Sequence, residues 1–299
     1  MPTASTAAPM GISGIAMTLA QTPSNQIYVQ SVSQIRSFVG WLEDQQTPPP
    51  LPDSPDSPQA INAFSQMKTD TMQWINSIYP QCIELPQAFV SADSQITPSL
   101  NTLVSLAQQL TSQPTNQNLH NAIVQAATSL STTIQGLNNQ VGSLVGSLAS
   151  SSTALSQDSS SVGTATVGMN QDVNNEVNNI YQLQGQLTHL QNQTCPSQSA
   201  INACQQNIAN AQSALNQMQN LSGLLQQAGQ QASAAANGLS YMAGYWSTVQ
   251  TDAQQVIGAL GKLASDPPAV LNLDLQNAAQ SWSQTLALSQ QLIAGSSTS

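Results

Sequence analysis

The sequence predicts an all-α protein, an elongated bundle of about five long antiparallel helices. Two observations carry this. Apolar residues recur three and four apart over long stretches, the spacing of a helix packed lengthwise on others. The breaks in that pattern fall at a few Pro- or Ser-rich points, so the helices between them are long. The composition adds a third constraint. Hydrophobic residues make up 40 % of the 299 positions, enough for a core, while only 4 % are aromatic, so Leu, Ile, Val, Ala and Met must fill it.

Residues 1–24 read as a flexible N-terminal arm, and residues 25–299 as a single elongated bundle. A first helix is expected from Asn25 to Asp44, burying Ile27, Val32, Ile35, Phe38 and Leu42. The run Thr47–Pro58 (TPPPLPDSPDSP) cannot stay helical, because proline lacks the amide donor; it reads as a solvated connector. A second helix from about Gln59 carries Ile61, Phe64, Met67, Met72, Trp74, Ile75 and Ile78, is interrupted or kinked by Pro80 and Pro86, and runs on to about Leu110. Thr111–Asn116 is the next turn. The third helix shows a heptad seam at Leu130, Ile134, Leu137, Val141, Leu144 and Leu148. It should weaken or bend in the Ser-rich stretch Ser150–Gly168, then resume with Val173, Val177, Ile180, Leu183, Leu187 and Leu190. A hairpin tip is expected at 193–198. Beyond it, Ile201, Cys204, Ile208, Ala211, Leu215 and Met218 form one run, and Leu225 through Leu263 another. Asp266–Pro268 ends that helix, and a last one carries Leu271, Leu275, Ala278, Trp282 and Leu292.

Charge excludes several functions. Charged residues are 5 % of the chain, against about 25 % in an average soluble domain. With a net charge of −10 and three basic residues, Arg36, Lys68 and Lys262, the chain has no means of neutralising phosphates, so nucleic acid is not a partner. Helix stability has to come from burying apolar seams, since ion pairs at one-turn spacing are almost absent. The two histidines, His120 and His189, lie far apart, and no zinc-protease pattern, phosphate-binding glycine loop, Cys-x-x-Cys or nucleophile elbow occurs. No catalytic residue, cofactor site or metal site is assigned, and the chain reads as a non-enzyme. Gly11–Ala20 (GISGIAMTLA) is apolar but lacks a preceding basic region, so it does not read as a signal peptide.

Two features stay open at this level. Cys195 and Cys204 flank the expected tip; they either form a disulfide, if 195–199 folds back, or remain free thiols with Cys204 in the core. The small-residue helix Val141–Leu155 (VGSLVGSLASSSTAL), with Val141, Leu144, Val145, Leu148 and Leu155, suits either a membrane or partner helix or ordinary close packing. Trp74, Trp246 and Trp282 admit a lipid or partner interface, but core packing is the simpler reading.

The segment Asp70–Gln87 (DTMQWINSIYPQCIELPQ) resembles the signature of the haemolysin BL and non-haemolytic enterotoxin family of α-helical pore-forming toxins: a Trp, a Tyr-Pro pair, then an apolar helix. Tyr241–Leu292 resembles it again, with Tyr245-Trp246, a Pro-marked break and Asp274, Ala278 and Trp282. The resemblance implies a cytolysin A-like tail and a subunit of a secreted multi-component toxin, acting by oligomerisation and membrane association. Its implied partners are other toxin-like subunits or the host-cell membrane, joined in a hetero-oligomer after a soluble monomeric stage, with release from the cytoplasm by a route that shows no signal peptide. The family's hydrophobic head insert has no counterpart here, where Thr194–Gln198 (TCPSQ) stands in its place, so no β-tongue is expected. The alternative is a non-lytic helical scaffold or partner-binding module built on that fold.

Overall fold

The computed structural model describes residues 25–263 and 268–296. The arm 1–24 and the expected break at Asp266 lie outside these. Every regular element among the described residues is helical: α1 (Asn25–Asp44), α2 (Ser57–Gln73), a π-turn (Trp74–Ile78), α3 (Tyr79–Ser112), α4 (Gln117–Gln191), α5 (Gln198–Lys262) and α6 (Pro268–Ser296). Counting α2, the π-turn and α3 as one continuous helix, five long helices result, in agreement with the predicted fold class.

The interruption expected near Pro80 takes the form of the wide turn Trp74–Ile78, after which Pro80 enters α3 in its first positions, where an amide donor is dispensable. Pro86 and Pro98 are carried inside α3. Ser150–Gly168 likewise does not break α4, which is helical throughout. Its glycines are tolerated because the neighbouring positions Leu155, Val162 and Ala165 are buried, and packing overrides their poor propensity.

The packing resolves into two compact units. The first comprises, among described residues, 25–33, 77–149 and 239–296 without the gap at 264–267; the second comprises 34–76 and 150–238. In the first unit the core holds Leu100, Leu103, Ile123, Ile134, Val141, Leu144, Leu148, Leu239, Met242 and Val249. Around its aromatic centre, Tyr28, Phe89, Tyr245, Trp246 and Trp282 pack at centroid separations of 5.1 to 6.4 Å. In the second unit Ile35, Phe38, Leu42, Phe64, Met67 and Trp74 are buried, as are Val162, Met169, Met218, Leu225 and a run of alanines, Ala228, Ala232, Ala235 and Ala236. Ile27, expected to be buried, is 43 % exposed. The side chain of Leu271 is outside the description.

Candidate functional site

The α4–α5 hairpin of the second unit is built by small residues. Ser152 donates to the Ala236 carbonyl at 2.8 Å, Ser159 to the Gly229 carbonyl at 2.9 Å, Ser222 to Asn170 at 2.7 Å and Cys204 to the Leu183 carbonyl at 3.3 Å. These four keep nearly one antiparallel register. A hydroxyl reaches a neighbouring helix's carbonyl only when the backbones lie close, which Ala and Gly at the seam permit. A Cβ added at Gly229 would meet Val162 at 3.5 Å, an ordinary contact, so the fit there is close but unstrained. The hairpin turns through 192–197.

The seam of α4 beyond Leu148 is not the one the valines suggest. Val173 and Val177 are only half-buried, whereas Ser152, Asp158, Asp172 and Glu176 are buried. The three-and-four spacing runs on through Leu155, Val162, Ala165, Met169 and Ile180, with carboxylates occupying some of its inward positions. The sequence analysis named none of these acids among the inward positions of the helix. The missed signal was the unbroken phase from Leu148 to Ile180, which places Asp158, Asp172 and Glu176 inward.

These acids have specific neighbours. Asp172 Oδ2 accepts from the Ser54 hydroxyl at 2.6 Å and from the Asp56 amide at 3.1 Å. Ser57 in turn accepts from the Leu51 amide at 2.9 Å, and Leu51, Ser54 and Ser57 are all buried. The Pro-rich segment is therefore more than a solvated connector: most of it is exposed, but Ser54 and the Asp56 amide fasten it to α4, and Ser57 ties it to its own Leu51. A Cβ on Gly168 would come within 2.6 Å of the Asp56 carboxylate, so the glycine leaves room for that segment. Asp158 lies against Asp70 of α2; burial first, and Asp70 second, push its carboxyl up to about 7.

In the first unit, the Trp246 indole N–H donates to Tyr28 Oη at 2.9 Å, and that of Trp282 to Asp93 at 2.8 Å. Tyr28 also hydrogen-bonds Cys82, whose thiol burial pushes up to about 12. Burial likewise raises Tyr28, Tyr245 and Asp252 above their ordinary values. Trp74, Trp246 and Trp282 are thus core residues in this structure.

The residues singled out from the sequence are not brought together. Cys195 is an exposed thiol in the turn and Cys204 a buried one within α5; both are free, so the bridge considered between them is not formed. Pro196 stays outside α5, but Cys204 turns its sulfur to Leu183 of α4 instead of back toward the tip. Val141, Leu144, Leu148 and Leu155 are at most 1 % exposed and Val145 is half-buried, so in this conformation they pack the core and present no membrane or partner face. No described helix is long and apolar enough to cross a membrane, and no group of three or more His, Cys, Asp or Glu able to hold a metal occurs among the described residues.

Comparisons with known proteins place this architecture. The chain has the fold of the SmhB pore of the tripartite α-pore-forming toxin Smh from Serratia marcescens (TM-score 0.66, 12 % identity, 89 % of this chain and 98 % of that one). It shares that fold with soluble AhlC of the tripartite toxin AHL from Aeromonas hydrophila (TM-score 0.64, 13 % identity, 88 % and 97 %). XaxA from Xenorhabdus nematophila also matches (TM-score 0.55, 12 % identity, 91 % and 98 %). The fold class is therefore that of α-pore-forming toxin components. Residues 57–197, a little under half of the chain, match the model of the family described as Bacillus haemolytic enterotoxin (HBL). The Asp70–Gln87 signature lies inside the match, and Tyr241–Leu292 outside it. No curated protein matches the chain.

Proposed function

We propose that this chain is a subunit of a multi-component α-helical pore-forming toxin, acting by oligomerisation and membrane association without catalysis. The observation that carries the reading is the haemolytic-enterotoxin match over 57–197, which spans α2, the π-turn, α3 and α4. A second feature supports assembly. From Val177 through Thr251 the sequence holds no Asp, Glu, Lys or Arg, so this part of the hairpin brings no like charge to a neighbouring copy or subunit of similar composition. Removing water from Gln, Asn and Ser costs far less than removing it from a carboxylate. On α4, Val167 and Tyr181 stand 59 % and 67 % exposed on one stripe, and supply apolar anchors. The subunit is secreted, stays monomeric until release, and meets toxin-like partners at the host-cell membrane.

Purified chain, alone and mixed with co-encoded toxin-like proteins, is to be applied to cells and dye-loaded liposomes. Lysis in at least one combination is expected, and inertness in all of them defeats the proposal. Tyr181→Glu should lower lytic potency about tenfold or more, the scale of a lost interfacial tyrosine, with helix content unchanged. The second reading, a non-lytic scaffold, is favoured by the short polar tip at 192–197 and by the lack of a membrane-spanning helix among the described residues. Co-purification of one specific partner without dye release would select it.

A further inference from the structure

In the second unit the α4–α5 seam opens outward as a groove of about 470 Å³, with Leu225 at its base and Ser159, Gly163, Gln226 and Ser233 among its walls. A Cβ added at Gly163 would meet nothing within 4 Å, so the space over that glycine is open. From this point an outer stripe runs along α4 in alternating steps of four and three: Gly163, Val167, Asn170, Asn174, Val177 and Tyr181. Steps of that kind keep side chains on one narrow face of a helix. The stripe borders the groove, since Asn170 accepts the Ser222 hydroxyl of α5 across it at 2.7 Å. It is distinct from the inward phase, where Asp158, Asp172 and Glu176 are buried. Val167 and Tyr181, 59 % and 67 % exposed, are the large apolar side chains left uncovered in this unit among the described residues, and Val177 is half-buried. Apolar side chains at seam spacing on a solvated face add little to the single chain and gain when another surface covers them.

We propose that the occupant is a second copy of this chain, its α4 stripe lying antiparallel on the first, with Tyr181 of each copy entering the groove over Gly163 of the other. Two properties select this partner. The stripe complements itself when reversed. With the two-fold axis level with residue 172, Tyr181 meets Gly163, Val177 meets Val167 and Asn174 meets Asn170, each pair occurring twice, as an isologous contact requires. The bulkiest side chain thus falls on the position that has none, and facing amides can exchange hydrogen bonds. The second property is charge. Copies of net charge −10 repel, yet residues 198–238 of α5 hold no Asp, Glu, Lys or Arg, and Asp172 and Glu176 of α4 are buried, so this face meets its copy without like charges. A strip about 27 Å long and two helices wide covers roughly 500 Å² per copy, ~1,000 Å² in total, the lower end of specific interfaces. Pairing is therefore weak and rises with concentration. It names the partner in the oligomerisation proposed above and rests on that reading, but is measured without membranes, so pairing can fail with lysis intact and lysis can fail with pairing intact.

Analytical ultracentrifugation of the full chain near neutral pH, from about 5 to about 500 µM, tests this, and dimer should grow in across that range. Tyr181→Ala should weaken pairing about tenfold or more. Asn170→Lys combined with Asn174→Lys sets like charges together at both amide contacts and should abolish the dimer, although the added positive charges offset part of the overall −10 and ease general repulsion. Asn170→Lys combined with Asn174→Glu places Lys opposite Glu in the antiparallel register, but Lys opposite Lys in a parallel one. It should pair at least as well as the wild type, and less well in high salt. Three results overturn the proposal: a wild type that stays monomeric throughout, a dimer that neither Tyr181→Ala nor the double-lysine variant weakens, or a Lys–Glu variant as monomeric as the double-lysine one. The substituted positions are exposed, and circular dichroism checks that helix content is kept. Should one variant lose it, the wild type and the other two decide.

Discussion

Tyr28 occupies a position where one oxygen serves two purposes. It accepts the buried indole N–H of Trp246 at 2.9 Å and hydrogen-bonds the thiol of Cys82, joining α1, α3 and α5 within one unit. Tyr28→Phe keeps the ring and strands the indole donor, so we expect a loss of about 1–3 kcal/mol in urea unfolding, while Trp246→Phe, which removes the donor as well, should cost less through this bond. The cysteines give a second check at this scale. Cys195 is exposed and Cys82 and Cys204 are buried, so a maleimide should label the native protein once, at residue 195, and three times after denaturation, as read by mass. None of these side-chain partnerships was visible beforehand. Tyr28 and Trp246 are 218 residues apart, and nothing local in the sequence announces a bond between them.

Helices were the most readable level, because the three-and-four period is a local property. α1 has the expected bounds, and Ile134, Val141, Leu225, Leu239 and Leu260 are buried as the period demands. The misreadings arose where polar residues occupy inward positions. Asp172 and Glu176 took the seam that Val173 and Val177 seemed to claim; Asp172 faces the Ser54–Asp56 segment instead of an apolar neighbour, and Glu176 accepts from Asn179 one turn on. The interruption expected at Pro80 falls at Trp74–Ile78, a π-turn that leaves no clear mark in composition. The fastening of the Pro-rich segment yields a prediction of its own. Gly168→Ala pushes a methyl group toward the Asp56 carboxylate and its Cβ, at 2.6 and 3.2 Å, and should cost about 1–3 kcal/mol while making the peptide bonds between 45 and 56 more open to proteolysis.

For the whole molecule, the governing quantity is a charge of −10 carried on thirteen acids with three bases to offset them. The fold class was legible from periodicity, and the resemblance to haemolytic enterotoxins that the match over 57–197 repeats was legible in Asp70–Gln87, a segment whose Trp, Tyr and Pro stand close together in sequence. The buried acids were not, since burial of a carboxylate depends on which helix lies opposite. Because repulsion between copies vanishes near the isoelectric point of about 4.1, light scattering should show self-association rising as pH approaches that value and receding above it.

The scarcity of Lys and Arg also alters how the protein meets trypsin. That protease cuts after Lys or Arg, and the chain offers it only Arg36, Lys68 and Lys262. Residues 69–262 therefore survive a complete digest as a single fragment, whether folded or fully denatured. Endurance in trypsin is a property of this covalent chain, and a protease selecting Leu, Tyr or Trp is needed to report on its conformation.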